Sequence, residues 1–270
     1  MKTAVITGAS SGMGRAAAMD LAKLGYRVII HGRDPLKTKQ AADEIKSATG
    51  QSVEFITADI SSIKEMKALA NAIKQKTDSI EALVLSTGVI LPNQVITADG
   101  LEAGFAIQYL SRFAVTHLLK DELRKGKAKI VVNAAPKLKS ADIYFDDLAL
   151  KKSFTMMKAM GQEMFANHLF TQEFAKRNPD NNVVMNILHV GVAKTGIMRE
   201  TNFFFKSIVN VFGKDPKKLT GNIVYLATNP EVTFSGYFLP KPGKPQAKEK
   251  LAYNPEVARK LWERSLELIG

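Results

Sequence analysis

The stretch "TGASSGMG" at 7–14 constrains this chain more than any other, because it joins the β-branched run "TAVIT" (3–7) to the helix-forming run "GMGRAAAMDLAK" (12–23). A strand that passes directly into a helix through three glycines is the first turn of a nucleotide-binding βαβ unit. Gly8 permits a tight turn, Gly12 lets the backbone approach a pyrophosphate, and Gly14 lets the helix start pack closely on the strand. The helix N-terminus offers free N–H groups and the positive end of its dipole to phosphate oxygens. Ser10, Ser11 and Met13 complete the expected cradle.

The remaining chain repeats the same alternation. "RVIIHG" (27–32), "SVEFITAD" (52–59), "EALVLSTG" (81–88), "AKIVVNAA" (128–135) and "NVVMNILHVG" (182–191) read as buried strands. Between them lie runs with apolar residues at helical spacing, the first two stopped by Gly25 and Gly50. "DGLEAGFAIQYLSRFAVTHLLKDELRK" (99–125) reads as one long helix and "FTMMKAMGQEMFANHLFTQEFAKR" (154–177) as another. Such alternation predicts an α/β fold, a doubly wound parallel sheet with helices on both faces, as one domain over 1–270. After 191 the pattern loosens into an apolar insert "NFFFKSIVNVFG" (202–213) and a helix "GNIVYLAT" (221–228). A short strand "GYFL" (236–239), a basic loop "PKPGKPQAKEK" (240–250) and a closing helix "PEVARKLWERSLELI" (255–269) with Pro at its first position follow.

Charge and composition remove several function classes. The 270 residues carry 38 Lys and Arg against 26 Asp and Glu, a formal charge of +12. The basic residues are scattered, as in "KDELRKGKAK", with no interleaved aromatics to stack on bases. A solvated basic surface is therefore expected, and no nucleic-acid partner. Without cysteine there is neither a disulfide framework nor thiolate chemistry, and no metal site is expected. The start "MKTAVITGAS" lacks a signal peptide's apolar run, and no stretch reaches membrane-spanning length. These features predict a cytoplasmic protein without an integral membrane segment.

The end of the second strand selects the dinucleotide. A carboxylate there would accept hydrogen bonds from a ribose 2′-OH; this chain has Gly32 followed by Arg33. A missing carboxylate and an added guanidinium favour a 2′-phosphate, hence NADP(H) over NAD(H). The competing reading is a solvated "GRD" turn. Asp34, preceding Pro35, is expected to cap the next helix.

The Gly-x-x-x-Gly-x-Gly spacing resembles the short-chain dehydrogenase/reductase family. "ADI" (58–60) is similar to that family's segment beside the adenine ring, which implies contacts from Asp59 and Ile60. "LVLSTGVI" (83–90) is similar to its Asn-Asn-Ala-Gly strand end, with Gly88 kept and Leu85, Ser86 and Thr87 replacing the rest. "TADGLEAGFAIQYLSRFAVTHLL" (97–119), "FDDL" (145–148), "ANHLFTQEFAKR" (166–177), "HVGVAKT" (189–195) and "LWERSLELIG" (261–270) are similar to its retinol-dehydrogenase-like branch. The resemblance spans nearly the whole chain and implies a Rossmann fold. It also implies Gly191 and Thr195 near the nicotinamide amide, with Val190 where proline is usual, and a substrate-lid-like insert over 192–220.

Active members of that family use an asparagine, a serine, a tyrosine and, four residues later, a lysine. Gln108 stands at the asparagine place and Ala135 at the serine place. Two registers exist for the other pair. "FTMMK" would give Phe154 and Lys158; alignment through "ANHLFTQE", which also suits "FDDL", gives Met160 and Met164 and is preferred. Either way the tyrosine is lost, and methionine has no titratable proton. The implied protein binds NADP(H) and is an oxidoreductase by family, yet is not expected to reduce ordinary carbonyls. The alternative is a non-catalytic nucleotide-binding protein with a regulatory or scaffolding role. Tyr109, Tyr144, His168 and His189 are candidate substitute donors. Phe203–Phe205 could line a pocket for an apolar small molecule, face a homo-oligomer partner or touch a membrane.

Overall fold

The computed structural model describes residues 1–138, 140–190, 215–239, 249–250 and 254–270. Among these, eight strands form one sheet: β1 (Thr3–Thr7), β2 (Arg27–Gly32), β3 (Val53–Thr57), β4 (Ala82–Leu85), β5 (Lys129–Asn133), β6 (Val184–Leu188), β7 (Tyr237–Leu239) and β8 (Glu249–Lys250). Their order is β3-β2-β1-β4-β5-β6-β7-β8. The first seven run parallel, and β8 pairs antiparallel to β7 through Tyr237–Lys250 and Phe238–Glu249. The basic segment read as a loop thus ends in a strand on the sheet edge.

The helices are α1 (Gly12–Lys23), α2 (Pro35–Thr49), α3 (Ile63–Lys76), α4 (Ala103–Phe105), α5 (Ser111–Leu118), α6 (Lys120–Gly126), α7 (Met156–Arg177), α8 (Gly221–Thr228) and α9 (Pro255–Ile269). Side chains alternate faces along a strand, and this splits the sheet's apolar residues into two cores. Val5, Ile29, Leu83 and Ile130 pack with Ile73 of α3, Phe113 of α5 and Phe170 of α7. Ala4, Ile6, Val28, Ile30, Val84 and Val131 pack with Leu21 of α1, Ile45 of α2 and Ile223 of α8. Strands buried on both faces need apolar runs rather than strict alternation, as these sequences show.

Local chemistry fixes the ends of these elements. The Asp34 carboxylate accepts from the Lys37 N–H at 3.0 Å, with Pro35 opening α2 and Gly50, at φ 68°, closing it in the left-handed region. The single helix expected over 99–125 is broken. Glu102 accepts from the N–H groups of Gly104 and Phe105, so α4 starts at Ala103. A π-helical turn, Ala106–Leu110, then links α4 to α5, and Leu119 interrupts the chain before α6. Apolar spacing barely distinguishes a π turn from an α turn, so periodicity alone hides the break.

The chain moves from β1 outward to β2 and β3, then returns to β4 on the other side of β1. That reversal opens a crevice beyond the C-terminal ends of β1 and β4, where doubly wound sheets bind ligands. Residues 8–14, 33–34, 58–60, 86–90, 134–135 and 189–190 each follow a parallel strand and share this edge. Among the described residues, no helix is long and apolar enough to cross a membrane.

Candidate cofactor and active site

The loop between β1 and α1 is packed too tightly for side chains at its glycines. Gly8 and Gly12 have φ of 68° and 58°. A Cβ on Gly8 would lie 2.8 Å from the Thr87 backbone, and one on Gly14 would lie 2.3 Å from the Gly8 carbonyl oxygen. The Ala9 N–H donates to the His31 carbonyl at 2.8 Å, tying the loop to the end of β2. Ser11 precedes α1 without a side-chain cap, and the first turn carries no acid. The helix N-terminus thus keeps unpaired N–H groups for an anion, and the cradle fits a pyrophosphate.

At the end of β2, a Cβ on Gly32 would fall 2.4 Å from Thr38 Oγ1 and 2.8 Å from Ser10 Cβ. Packing leaves no room for a carboxylate there. Arg33 is exposed and makes no ion pair among the described residues, while Asp34 serves as the α2 cap. Lys37, one turn into α2, lies 3.4 Å from the Asp34 carboxylate, so Arg33 keeps the freer charge. Asp59 is exposed and accepts from the Ser61 N–H at 3.1 Å, Ile60 is buried, and Gly88 is exposed beyond β4. Gly191 and Thr195, with residues 192–214 of the insert and Phe203–Phe205, lie outside the described residues.

The four residues that the sequence resemblance assigns to the family's reactive positions gather on two helices and the β5 exit. Gln108 lies buried on the π turn; its Nε2 donates to the Val89 carbonyl at 2.8 Å and to Glu163 Oε2. Met160 and Met164 stand one turn apart on α7 and are half-buried, outside both cores. One turn further along the same stripe, His168 Nε2 lies 3.2 Å from the Ala135 carbonyl oxygen. The stripe therefore runs beside the segment after β5, where Ala135 is half-buried. In the other register Phe154 precedes α7, whose N-cap is Thr155, and Lys158 bonds Ser153 Oγ at 2.7 Å. Phe154 and Lys158 then share no helix face.

The candidate substitute donors separate by environment. Tyr109 is buried, its hydroxyl paired with Ser265 Oγ at 2.7 Å on α9; burial pushes its pKa up. Its hydroxyl is thereby committed to α9. Tyr144 is half-buried, with the Lys158 ammonium 4.9 Å from its ring centroid. His189 is half-buried, and burial lowers its pKa. His168 is buried beside Phe238 and pulled down to about 4, by burial first and by Lys137 as well. It is neutral at physiological pH.

A buried polar network joins these pieces. Arg112 Nη1 donates to Asn167 Oδ1 at 2.9 Å, and its Nη2 donates to the carbonyls of Thr87 at 2.7 Å and Asn133 at 3.0 Å. One guanidinium thus clamps the exits of β4 and β5 to α7. Asn167 Nδ2 donates to the carbonyls of Gln108 at 3.0 Å and Glu163 at 2.7 Å. Burial lowers Arg112 to about 10, opposed by Glu163, so it stays cationic at neutral pH. Burial and the neighbouring Glu102 raise Glu163 well above the usual carboxylate range, against Arg112 and Gln108. Glu102, Arg112, Glu163 and Asn167 were not singled out from the sequence. Their signal was there: Gln108 and Arg112, then Glu163 and Asn167, are polar pairs four residues apart within otherwise apolar helix faces.

The fold agrees with known proteins. A family model described as short chain dehydrogenase matches residues 2–138. Human retinol dehydrogenase 14 is 31% identical over 293 residues, covering 100% of this chain and 86% of its own. A crystal structure from Mycobacterium paratuberculosis, described as a putative uncharacterized protein, superposes with a TM-score of 0.73 at 21% identity, covering 100% and 93%. An alcohol dehydrogenase from Thermococcus sibiricus, complexed with 5-hydroxy-NADP, gives 0.70 at 18%, covering 92% and 99%. The chain belongs to the short-chain dehydrogenase/reductase family, on its retinol-dehydrogenase-like branch. The doubly wound, Rossmann-like fold is the one its sequence predicted.

Proposed function

We propose that this chain, as one dinucleotide-binding domain over 1–270, binds NADP(H) and does not reduce ordinary aldehydes and ketones. Gly8, Ser10, Ser11, Gly12, Met13 and Gly14 would hold the pyrophosphate, and Arg33 the 2′-phosphate. Asp59, Ile60 and Gly88 would line the adenine and ribose path along the same sheet edge, with Gly191 and Thr195 toward the nicotinamide. Support for the 2′-phosphate comes from the filled space around Gly32 and the unpaired Arg33 beside it. The solved relative named as complexed with 5-hydroxy-NADP is consistent with this choice.

The preferred sequence register carries the catalytic half: in it, no titratable proton stands at any of the four positions assigned to the reactive groups. Ala135 ends in a methyl group, Met160 and Met164 in thioethers, and the Gln108 amide is turned to Val89 and Glu163. A bound NADPH supplies hydride, but a carbonyl oxygen gaining charge needs a donor within hydrogen-bond reach. The apolar methionine stripe suits an apolar small molecule held beside the cofactor. A second reading, an oxidoreductase with an altered proton path, is favoured by the buried Glu163 and His168 next to those positions. Calorimetric titration with NADPH and NADH, followed by NADPH oxidation across a panel of aldehydes and ketones, separates these readings. Binding without turnover fits the first, turnover the second, and absence of NADPH binding removes both.

A further inference from the structure

On the side of α5 and α7 covered by α9, away from the dinucleotide edge, a cavity of about 330 Å³ opens between α5, α6, α7 and α9. Its apolar wall is aromatic. Phe113 and Trp262 meet edge to face with centroids 5.0 Å apart, and Phe170 and Phe174 do so at 6.3 Å. Its rim is cationic, carrying Lys120, Arg124 and Arg177 against one rim acid, Asp121. Arg177 is held by Glu173 at 2.7 Å, with its guanidinium 4.7 Å from the Trp262 centroid. Arg124 reaches Asp180 at 3.6 Å, and exposed Lys120 makes no ion pair among the described residues.

The lining grades from apolar to charged between α5 and α6. Phe113 and Thr116 line the cavity from α5, and Lys120 and Arg124, one turn apart, line it from α6. Thr116 lines the cavity and is 4% exposed, with its Oγ1 turned into the protein. The volume falls in the range of small-molecule sites and is too small for a helix or loop of a partner.

We propose that this cavity binds an amphipathic monocarboxylate. Its apolar chain lies against Phe113, Phe170, Phe174 and Trp262. Its carboxylate sits under Lys120 and Arg124. Apolar burial among the rings supplies affinity, and the cationic rim selects an anion over a neutral or cationic amphiphile.

Trp262 is the chain's one tryptophan, so its emission reports on this cavity directly. The intact protein is titrated with dodecanoate below its micellar range, and with dodecanol and dodecyltrimethylammonium as charge controls. A saturable change in Trp262 emission is expected with dodecanoate, with a midpoint about tenfold or more above it for either control. The Lys120→Glu/Arg124→Glu variant, changed only at exposed residues, should raise the dodecanoate midpoint by about tenfold or more. Thr116→Phe should abolish the response by filling the cavity, provided that circular dichroism shows it folded. An absent or non-saturable response, equal midpoints for the three amphiphiles, or an unmoved midpoint in the charge-reversal variant overturns the proposal. So does sedimentation showing that the emission change follows protein concentration and dimerisation, since a second copy would then cover the cavity.

Discussion

Gln108 and Glu163, 55 residues apart in the chain, are joined by a hydrogen bond that ties the π turn to α7. The bond replaces two open ends with one closed contact. The Gln108 amide is committed to Val89 and Glu163, and the Glu163 carboxyl has Glu102 and Arg112 as charged neighbours. Gly104 shows how close the two acids are: a Cβ there would lie 3.0 Å from Glu102 Oε2 and 3.1 Å from Glu163 Oε2.

This arrangement makes stability depend on pH. Burial and Glu102 raise Glu163 well above 4.5, so the folded chain keeps a proton that the unfolded chain has released. The resulting stability is complete below 4.5 and is lost as pH rises toward the folded value. Glu102, also raised by burial, acts in the same direction, while cationic Arg112 opposes. Glu163→Gln keeps an acceptor for Gln108 but has nothing to ionise. Urea unfolding from about pH 5 to pH 8 should show the variant gaining on the wild type, by at most about 1.4 kcal/mol per unit. Parallel stability curves would show that Glu163 is ionised in the folded protein.

In the proposed NADP(H) reading, cofactor choice rests on Arg33. Its guanidinium is exposed beside a glycine that cannot be replaced without meeting Thr38 and Ser10. NADPH should bind more tightly than NADH, and Arg33→Ala should weaken NADPH by about 1–3 kcal/mol, the range for hydrogen bonds to charged groups, while leaving NADH nearly unchanged. Calorimetry on both proteins measures this; equal affinities that ignore the mutation would return "GRD" to a solvated turn.

Gly14→Val addresses the cradle itself. Its Cβ would press on the Gly8 carbonyl oxygen from 2.3 Å, which forces the start of α1 away from β1. Loss of NADPH binding with the far-ultraviolet circular dichroism retained is the expected outcome. A folded variant that binds normally would make the loop a structural turn only.

Sequence made the frame legible because burial on both faces forces strands such as "AVIT" and "KIVV" to be apolar, because Gly8, Gly12 and Gly50 mark conformations other residues resist, and because Gly14 marks a close approach of helix to loop. It revealed less of the candidate site, for two physical reasons. The π turn at Ala106–Leu110 leaves apolar spacing intact, so the break between α4 and α5 had no periodic signature. The floor of the site is held by pairs distant in sequence, Arg112 with Asn133 and Asn167, and Glu163 with Gln108. Their types were visible, but their partners depend on how α5 and α7 meet. β8 was unmarked for a similar reason: two residues are a strand only because β7 lies beside them.

The most exposed prediction concerns turnover. The unmodified protein should oxidise NADPH with ordinary aldehydes and ketones negligibly, since a missing general acid alone costs about 10²–10⁴-fold. Restoring Ala135→Ser, Met160→Tyr, Met164→Lys and Gln108→Asn should raise activity, and single changes should do little, because residues acting as a unit are not additive. The structure adds a condition. Asparagine at 108 is one methylene shorter and cannot span both Val89 and Glu163, so the fourfold variant leaves a buried carboxyl short of its partner. That costs about 1–3 kcal/mol and sets a misplaced acid next to the new lysine. Adding Glu163→Ser should recover the stability and give the highest rate of the series, read as NADPH consumption at saturating cofactor. If the unmodified protein instead turns over near about 1–10³ per second, another group donates the proton. His168→Gln and Glu163→Gln would then identify it by which one abolishes the rate while NADPH affinity holds.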